Sequence, residues 1–149
     1  MSEIDCMRRE LTSELQRASR RWRSIVDQRF LPLKLSIPRV APLIWIGRLG
    51  GGVNQSAVAK SIGIRASTLA ELLSQLESDK LIERHDDPKD RRAKTLWLTD
   101  EATLLVADLE RRLGDLRAAT MANIDADDIA TTLKVLRAFH SKRRRSIRS

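Results

Sequence analysis

Asp87-Pro88-Lys89-Asp90-Arg91-Arg92-Ala93-Lys94-Thr95-Leu96-Trp97-Leu98-Thr99 reads as a tight basic turn, a strand and a helix cap. Pro88 presets φ for a turn, and Asp87 suits the position before it. Thr95, Trp97 and Thr99 alternate with Leu96 and Leu98, the period of a strand with one apolar face. Leu81-Ile82-Glu83-Arg84-His85 supplies a matching strand in front of the turn. A two-stranded ribbon with Lys89, Arg91, Arg92 and Lys94 near its tip suits a nucleic-acid groove. Taken alone, the same residues also suit a solvated hairpin.

The residues before the ribbon narrow the choice. Asn54 can cap a helix over residues 55–62, which Gly63 ends. Val58 and Ile62 form its buried stripe. Ala66 or Ser67 opens a longer helix with Leu69, Leu72, Leu73 and Leu76 on its apolar face. Its other face carries Ser67, Thr68, Glu71, Gln75, Ser78 and Asp79. Short polar side chains on a helix held by a short Gly turn suit a recognition helix in the major groove. Helix, Gly turn, helix, strand, basic turn, strand spells a winged helix. The expected fold class is therefore mainly α with a small two- or three-stranded β wing.

This order, with Asp90-Arg91-Arg92-Ala93-Lys94 followed by Leu98-Thr99-Asp100-Glu101-Ala102, resembles the MarR family of bacterial transcription regulators, and its SlyA-like branch in particular. Residues 22–36, Ile62-Gly63-Ile64 and residues 75–82 carry the same resemblance, which spans roughly residues 10 to 140. It implies a dimeric, sequence-specific regulator of transcription, either a repressor or a counter-silencer, and no enzymatic activity.

Bulk properties agree. The chain has 149 residues, 28 Lys plus Arg and 20 Asp plus Glu, for a net charge of +8. A basic balance favours polyanions without choosing between nucleic acid and an anionic membrane. The longest near-apolar run, Val40 to Gly47, is too short to span a bilayer, so no membrane partner is expected. The start resembles no signal peptide, and one cysteine fits a reducing cytoplasm. Residues 53–99 carry 8 basic and 7 acidic groups, whereas residues 1–52 carry 10 and 5. The reading lobe is almost neutral, so its positive charge must be segregated onto the wing.

The ends read as a dimer-forming unit. A first helix is expected from about Met7 to Phe30, with Leu11, Leu15, Trp22, Ile25 and Val26 apolar. Ser36 is a candidate cap for a helix opening near Pro38, with Pro42 still in its first turn. Gly50-Gly51-Gly52 reads as a flexible break. Thr99 caps a long helix striped by Leu104, Leu105, Leu109, Leu113 and Leu116, and Asp125 caps a last one with Ile129, Leu133, Leu136 and Phe139. Residues 1–36 and 100–149 are thus assigned to dimerisation helices and residues 37–99 to the winged-helix lobe. A monomer with folded-back ends is the alternative. A two-fold dimer predicts a pseudo-palindromic operator with half-sites ~34–36 Å apart.

The resemblance implies residue roles. Arg92 enters the minor groove, with Asp90 holding its guanidinium, while Arg91 and Lys94 meet phosphate. Lys60, Arg65 and Lys89 are further phosphate candidates. Ser56, Ser67, Thr68 and Gln75 complete the DNA-facing set. Glu71 stands where SlyA-like relatives carry arginine; it either accepts from cytosine N4 or pairs with Arg65. Trp22, Arg23, Ser36, Arg39 and Val40 match a region where such proteins bind a small aromatic carboxylate, although Trp22 and Trp45 also suit the core. Cys6 lacks the tyrosines of redox-sensing relatives. His85 and His140 are far apart, and no metal-ligand spacing or phosphate loop is recognisable, so no cofactor is expected. The competing reading is a low-specificity architectural DNA binder, motivated by the basic tail Lys142-Arg143-Arg144-Arg145-Ser146-Ile147-Arg148.

Overall fold

Ser2 starts the first helix. Its hydroxyl oxygen accepts from the Asp5 N–H at 3.3 Å, and its O–H donates to Asp5 Oδ2 at 2.6 Å. A computed structural model describes residues 2–33 and 35–141. In it, α1 (Glu3–Phe30) is followed by a 3-10 turn (Leu31–Leu33), α2 (Ile37–Arg48), β1 (Val53–Asn54), α3 (Gln55–Ile62), α4 (Ala66–Ser78), β2 (Ile82–Asp87), β3 (Asp90–Leu98), α5 (Asp100–Thr120) and α6 (Ala126–His140). The class is the expected one. The strands form one antiparallel sheet in the order β1-β3-β2. No single helix among the described residues is long and apolar enough to cross a membrane.

Several boundaries differ from the sequence expectation. α1 begins four residues before Met7, because the Ser2 cap and the acids Glu3 and Asp5 in the positive first turn matter more than the first apolar residue. α2 begins at Ile37, which makes Pro42 its sixth residue rather than part of its first turn. The missing N–H at Pro42 therefore leaves the Pro38 carbonyl without its helical donor. Ser36 holds the cap position with its carbonyl, which accepts from the Arg39 and Val40 N–H groups at 3.1 Å; its hydroxyl makes no cap bond. Asp125 likewise caps α6 without a side-chain bond.

The chain divides into two units, Met1–Gly114 and Asp115–Ser149. In the first, a core closes where α2, α3 and α4 meet the sheet and the start of α5. Leu43, Ile46, Val58, Leu69, Leu73, Leu76, Ile82, Leu96, Ala102 and Val106 lie in it, all 8% exposed or less. The α4 stripe follows the three- and four-residue spacing of the sequence, and Leu72 sits half-buried at its margin. Thr99 donates its O–H to the Lys80 carbonyl at 2.9 Å and accepts from the Ala102 N–H at 3.3 Å, tying the foot of the wing to α5. Along α1 only Val26 and Phe30 are buried, and Ile4, Met7 and Leu11 face solvent. In the second unit α6 buries no residue, and Leu133, Val135 and Phe139 are exposed. The basic tail from Lys142 onward lies outside the described residues.

The three glycines before β1 are held in place rather than left as a flexible break. Gly50, Gly51 and Gly52 all have positive φ, +86°, +74° and +63°. The Gly52 N–H donates to the Leu96 carbonyl at 2.9 Å. A Cβ at Gly52 would lie 2.8 Å from Cζ2 of Trp97, so the indole packs where only glycine leaves room.

Candidate nucleic-acid interface

The wing is set by its register. β2 pairs regularly with β3 from Ile82↔Leu98 to Asp86↔Lys94, then jumps to Asp87↔Asp90. Arg91, Arg92 and Ala93 therefore bulge out at the tip. Two aspartates shape this bulge. The Lys89 N–H donates to Asp87 Oδ1 at 2.9 Å, closing the Pro88-Lys89 turn, and the Arg92 N–H donates to Asp90 Oδ1 at 2.9 Å. Such side-chain acceptors two residues back stabilise turns in place of backbone bonds. Asp90 thus holds the main chain of Arg92, not its guanidinium as expected, because the bulge brings the N–H to the carboxylate first. Arg91 and Arg92 are exposed, and neither has an ion pair among the described residues. Lys94 is differently placed: its ammonium pairs with Asp86 on the facing strand. That hydrogen bond and charge hold the Asp86 carboxyl below its usual range.

The helix-turn-helix forms as its punctuation implies. Asn54 Oδ1 accepts from the Ala57 N–H at 2.8 Å. Gly63 takes φ +81° and ψ +34°, and its N–H donates to the Ala59 carbonyl at 2.9 Å, closing α3 through a left-handed residue. α4 has Arg65 at its cap position and no side-chain cap bond. Its first N–H groups are therefore open to an outside acceptor. Arg65, Ser67, Thr68, Glu71 and Gln75 all lie on the exposed face, opposite buried Leu69, Leu73 and Leu76. No ion pair joins Glu71 to Arg65 among the described residues, so the acid stands unneutralised on the exposed face of α4.

Between the start of α3 and the wing lies a cleft of about 270 Å³, lined by Asn54, Gln55, Ser56, Arg84, Arg92, Ala93, Lys94 and Leu96. It brings Ser56, Arg92 and Lys94 together from the expected set. It adds Asn54, Gln55 and Arg84, which the sequence reading did not single out as contacts. Arg84 was detectable: it stands two residues after buried Ile82 on β2, hence on the inward face. Its Nε lies 2.8 Å from Glu77 Oε2 of α4. His85 is exposed on the opposite face, with Nε2 3.0 Å from Glu83 Oε2 and its ring 5.9 Å from that of Trp97.

The expected ligand residues are placed variously. Val40 is only 1% exposed and belongs to the core. Trp22 is half-buried on α1, while Arg23 and Ser36 are exposed. Arg39 pairs with Asp79 beside Ser74, Gln75 and Ser78, so its cation is engaged at the end of α4. Trp45 is half-buried beneath Arg48, whose guanidinium sits 5.0 Å over the indole and 2.5 Å from Glu110.

Known proteins share this fold. SlyA is 18% identical over 87% of this chain and 91% of that one, with a TM-score of 0.75. BpsR of Bordetella bronchiseptica, whose DNA binding is regulated by 6-hydroxynicotinic acid, is 22% identical over 87% and 92%, again with a TM-score of 0.75. At those identities the likeness is one of fold and does not assign a branch. The transcriptional regulator PA3341 is 35% identical over 87% of this chain and 94% of that one, with a TM-score of 0.79. The MarR family model matches residues 35–94, from the foot of α2 to the wing. With the helix-turn-helix, the bulged basic wing and this identity over nearly the full length, the chain belongs to the MarR family.

Proposed function

We propose that the chain is a dimeric, sequence-specific DNA-binding regulator of transcription that acts as a repressor or counter-silencer at a pseudo-palindromic operator. The wing carries this reading: a bulge presents Arg91 and Arg92, with the Arg92 backbone held by Asp90, beside the exposed polar face of α4. The helix suits the major groove, and an extended Arg suits a narrow minor groove with its enhanced negative potential. Residues 37–99 form the reading lobe, and residues 1–36 and 100–149 supply the dimerisation helices. Exposed Ile4, Met7, Leu11, Leu133, Val135 and Phe139 support that division, because helices at both ends leave apolar side chains for a second copy to cover.

The effector we assign is a small aromatic carboxylate. The regulation of BpsR by 6-hydroxynicotinic acid supports that class. In this chain the acid would compete with Asp79 for Arg39.

Selection of bound DNA from a random library at near-physiological salt tests the reading, with mass measured by light scattering. A pseudo-palindrome preferred by ~10³ or more over random DNA, bound by a dimer, is expected. Absence of an enriched motif would favour the low-specificity architectural reading. A millimolar 6-hydroxynicotinate titration of the selected complex tests the effector; unchanged DNA affinity and melting temperature would remove it.

Asp86→Asn offers a graded check on the wing. It releases the Lys94 ammonium and removes a carboxylate near the phosphates. Tighter DNA binding is expected, with a salt dependence steeper by about one counterion. Unchanged affinity and slope would show that Lys94 does not reach the backbone.

A further inference from the structure

Arg48 ends α2 and reaches across 62 positions of chain to Glu110 on α5. Its Nε donates to Glu110 Oε1 at 2.5 Å and its Nη2 to Oε2 at 3.1 Å. Two such bonds side by side fix the plane of a guanidinium as well as its distance. The Trp45 ring lies 5.0 Å from the guanidinium carbon and holds its face. Beside this fork the two helices approach closely. A Cβ at Gly47 would stand 3.1 Å from Cγ1 of Val106, one helical turn before Glu110. An apolar contact and a fork thus fasten the end of α2 to one face of α5. The side chains of Arg48 and Glu110 are 34% and 30% exposed, so solvent screens the pair and it adds little stability. Its effect is angular. The smooth contact at Gly47 alone lets the helices roll on one another, and the fork does not.

We propose that Arg48 is a positioning residue for operator recognition. Its fork to Glu110 sets the angle at which the reading lobe meets α5, and through it the separation of the two α4 helices in the dimer. Arg48 therefore governs which half-site spacing is accepted, acting through α5 rather than by contact with DNA. This inference rests on the reading of the chain as a dimeric regulator, with α5 among its dimerisation helices.

The test uses the full chain, with Arg48→Met, Arg48→Lys, Glu110→Gln and the Arg48→Met/Glu110→Gln double variant. Arg48→Met keeps an apolar stem over Trp45, and Arg48→Lys keeps the charge without the fork. The selected operator is remade with its spacer shortened or lengthened by a base pair or two. Affinity for each DNA is read by anisotropy, beside a single half-site and thermal melts. The wild type should prefer its own spacing. In Arg48→Met and Glu110→Gln that preference should fall about fivefold or more, a scale usual for residues in contact, with half-site affinity unchanged. The double variant should lose no more than either single one, because both remove the same fork. Arg48→Lys should behave as Arg48→Met does, since one ammonium cannot hold both carboxylate oxygens in a plane. An unchanged spacing preference in the variants would overturn the proposal while leaving the regulator reading intact. So would equal losses on every spacing and on the half-site that track the melting temperature, the mark of a merely structural role. Wild-type spacing preference in Arg48→Lys would overturn the fork. A wild type that is monomeric or selects no operator would sink the regulator reading, and the proposal with it.

Discussion

Arg92→Ala should weaken operator binding by about 1–3 kcal/mol, roughly 5- to 150-fold, with little change in folding. The separation of the two effects follows from the geometry. The guanidinium is exposed and makes no ion pair among the described residues, so its removal breaks no ion pair there. The Arg92 N–H, which Asp90 Oδ1 accepts at 2.9 Å, is a main-chain group that alanine keeps. The bulge therefore survives while the inserted cation is lost. Asp90→Ala is the informative companion. It leaves the arginine but removes the acceptor that sets its backbone, so affinity should fall by a smaller factor and the wing should loosen. Fluorescence anisotropy with a selected operator, read beside thermal melts, separates the pair. Wild-type affinity in Arg92→Ala would mean that the wing does not enter the groove.

Much of this geometry is legible in the sequence because it rests on local, strongly constrained chemistry. Asn54 and Gly63 punctuate α3 at the expected positions, since one supplies a cap oxygen and the other a left-handed residue. The Leu69, Leu73 and Leu76 stripe sets the buried face of α4 and leaves the polar residues opposite it facing solvent. What the sequence hides is register. The jump from Asp86↔Lys94 to Asp87↔Asp90 depends on how two strands close over Pro88, and no period reports it. The partners of Asp90, Lys94 and Arg39 follow from such placement. Arg39 meets Asp79 across 40 positions of chain, and a helical period carries no information about that encounter. The cap at Ser2 is a different kind of miss. Its signal was local, but no apolar residue in the usual rhythm drew attention to it. Arg84 went unnoticed because strand alternation marks a side chain as inward without saying that it meets Glu77 of α4 there.

Gly52→Ala should destabilise the fold by about 2–5 kcal/mol, and the cost has two separable parts. The first is backbone strain. Gly52 has φ +63°, where a Cβ costs about 1–2 kcal/mol. The second is overpacking. The new Cβ would sit 2.8 Å from Cζ2 and 3.0 Å from Cη2 of Trp97, and such intrusions cost about 1–3 kcal/mol. The indole cannot simply swing aside, because its Nε1–H donates to Thr95 Oγ1 at 2.9 Å and its ring lies 5.9 Å from that of His85. Moving it would drag β3, whose Leu96 carbonyl also receives the Gly52 N–H. Gly50→Ala supplies the control, since Gly50 has φ +86° but nothing within 4 Å of its Cβ position. It should show the strain without the clash. Urea unfolding of both variants, repeated in a Trp97→Leu background, measures the difference. The gap between them should shrink in that background, because the indole that the added methyl group would strike is gone. Equal destabilisation of both variants in the wild-type background would show that the indole yields freely, leaving the three glycines to serve only their backbone angles.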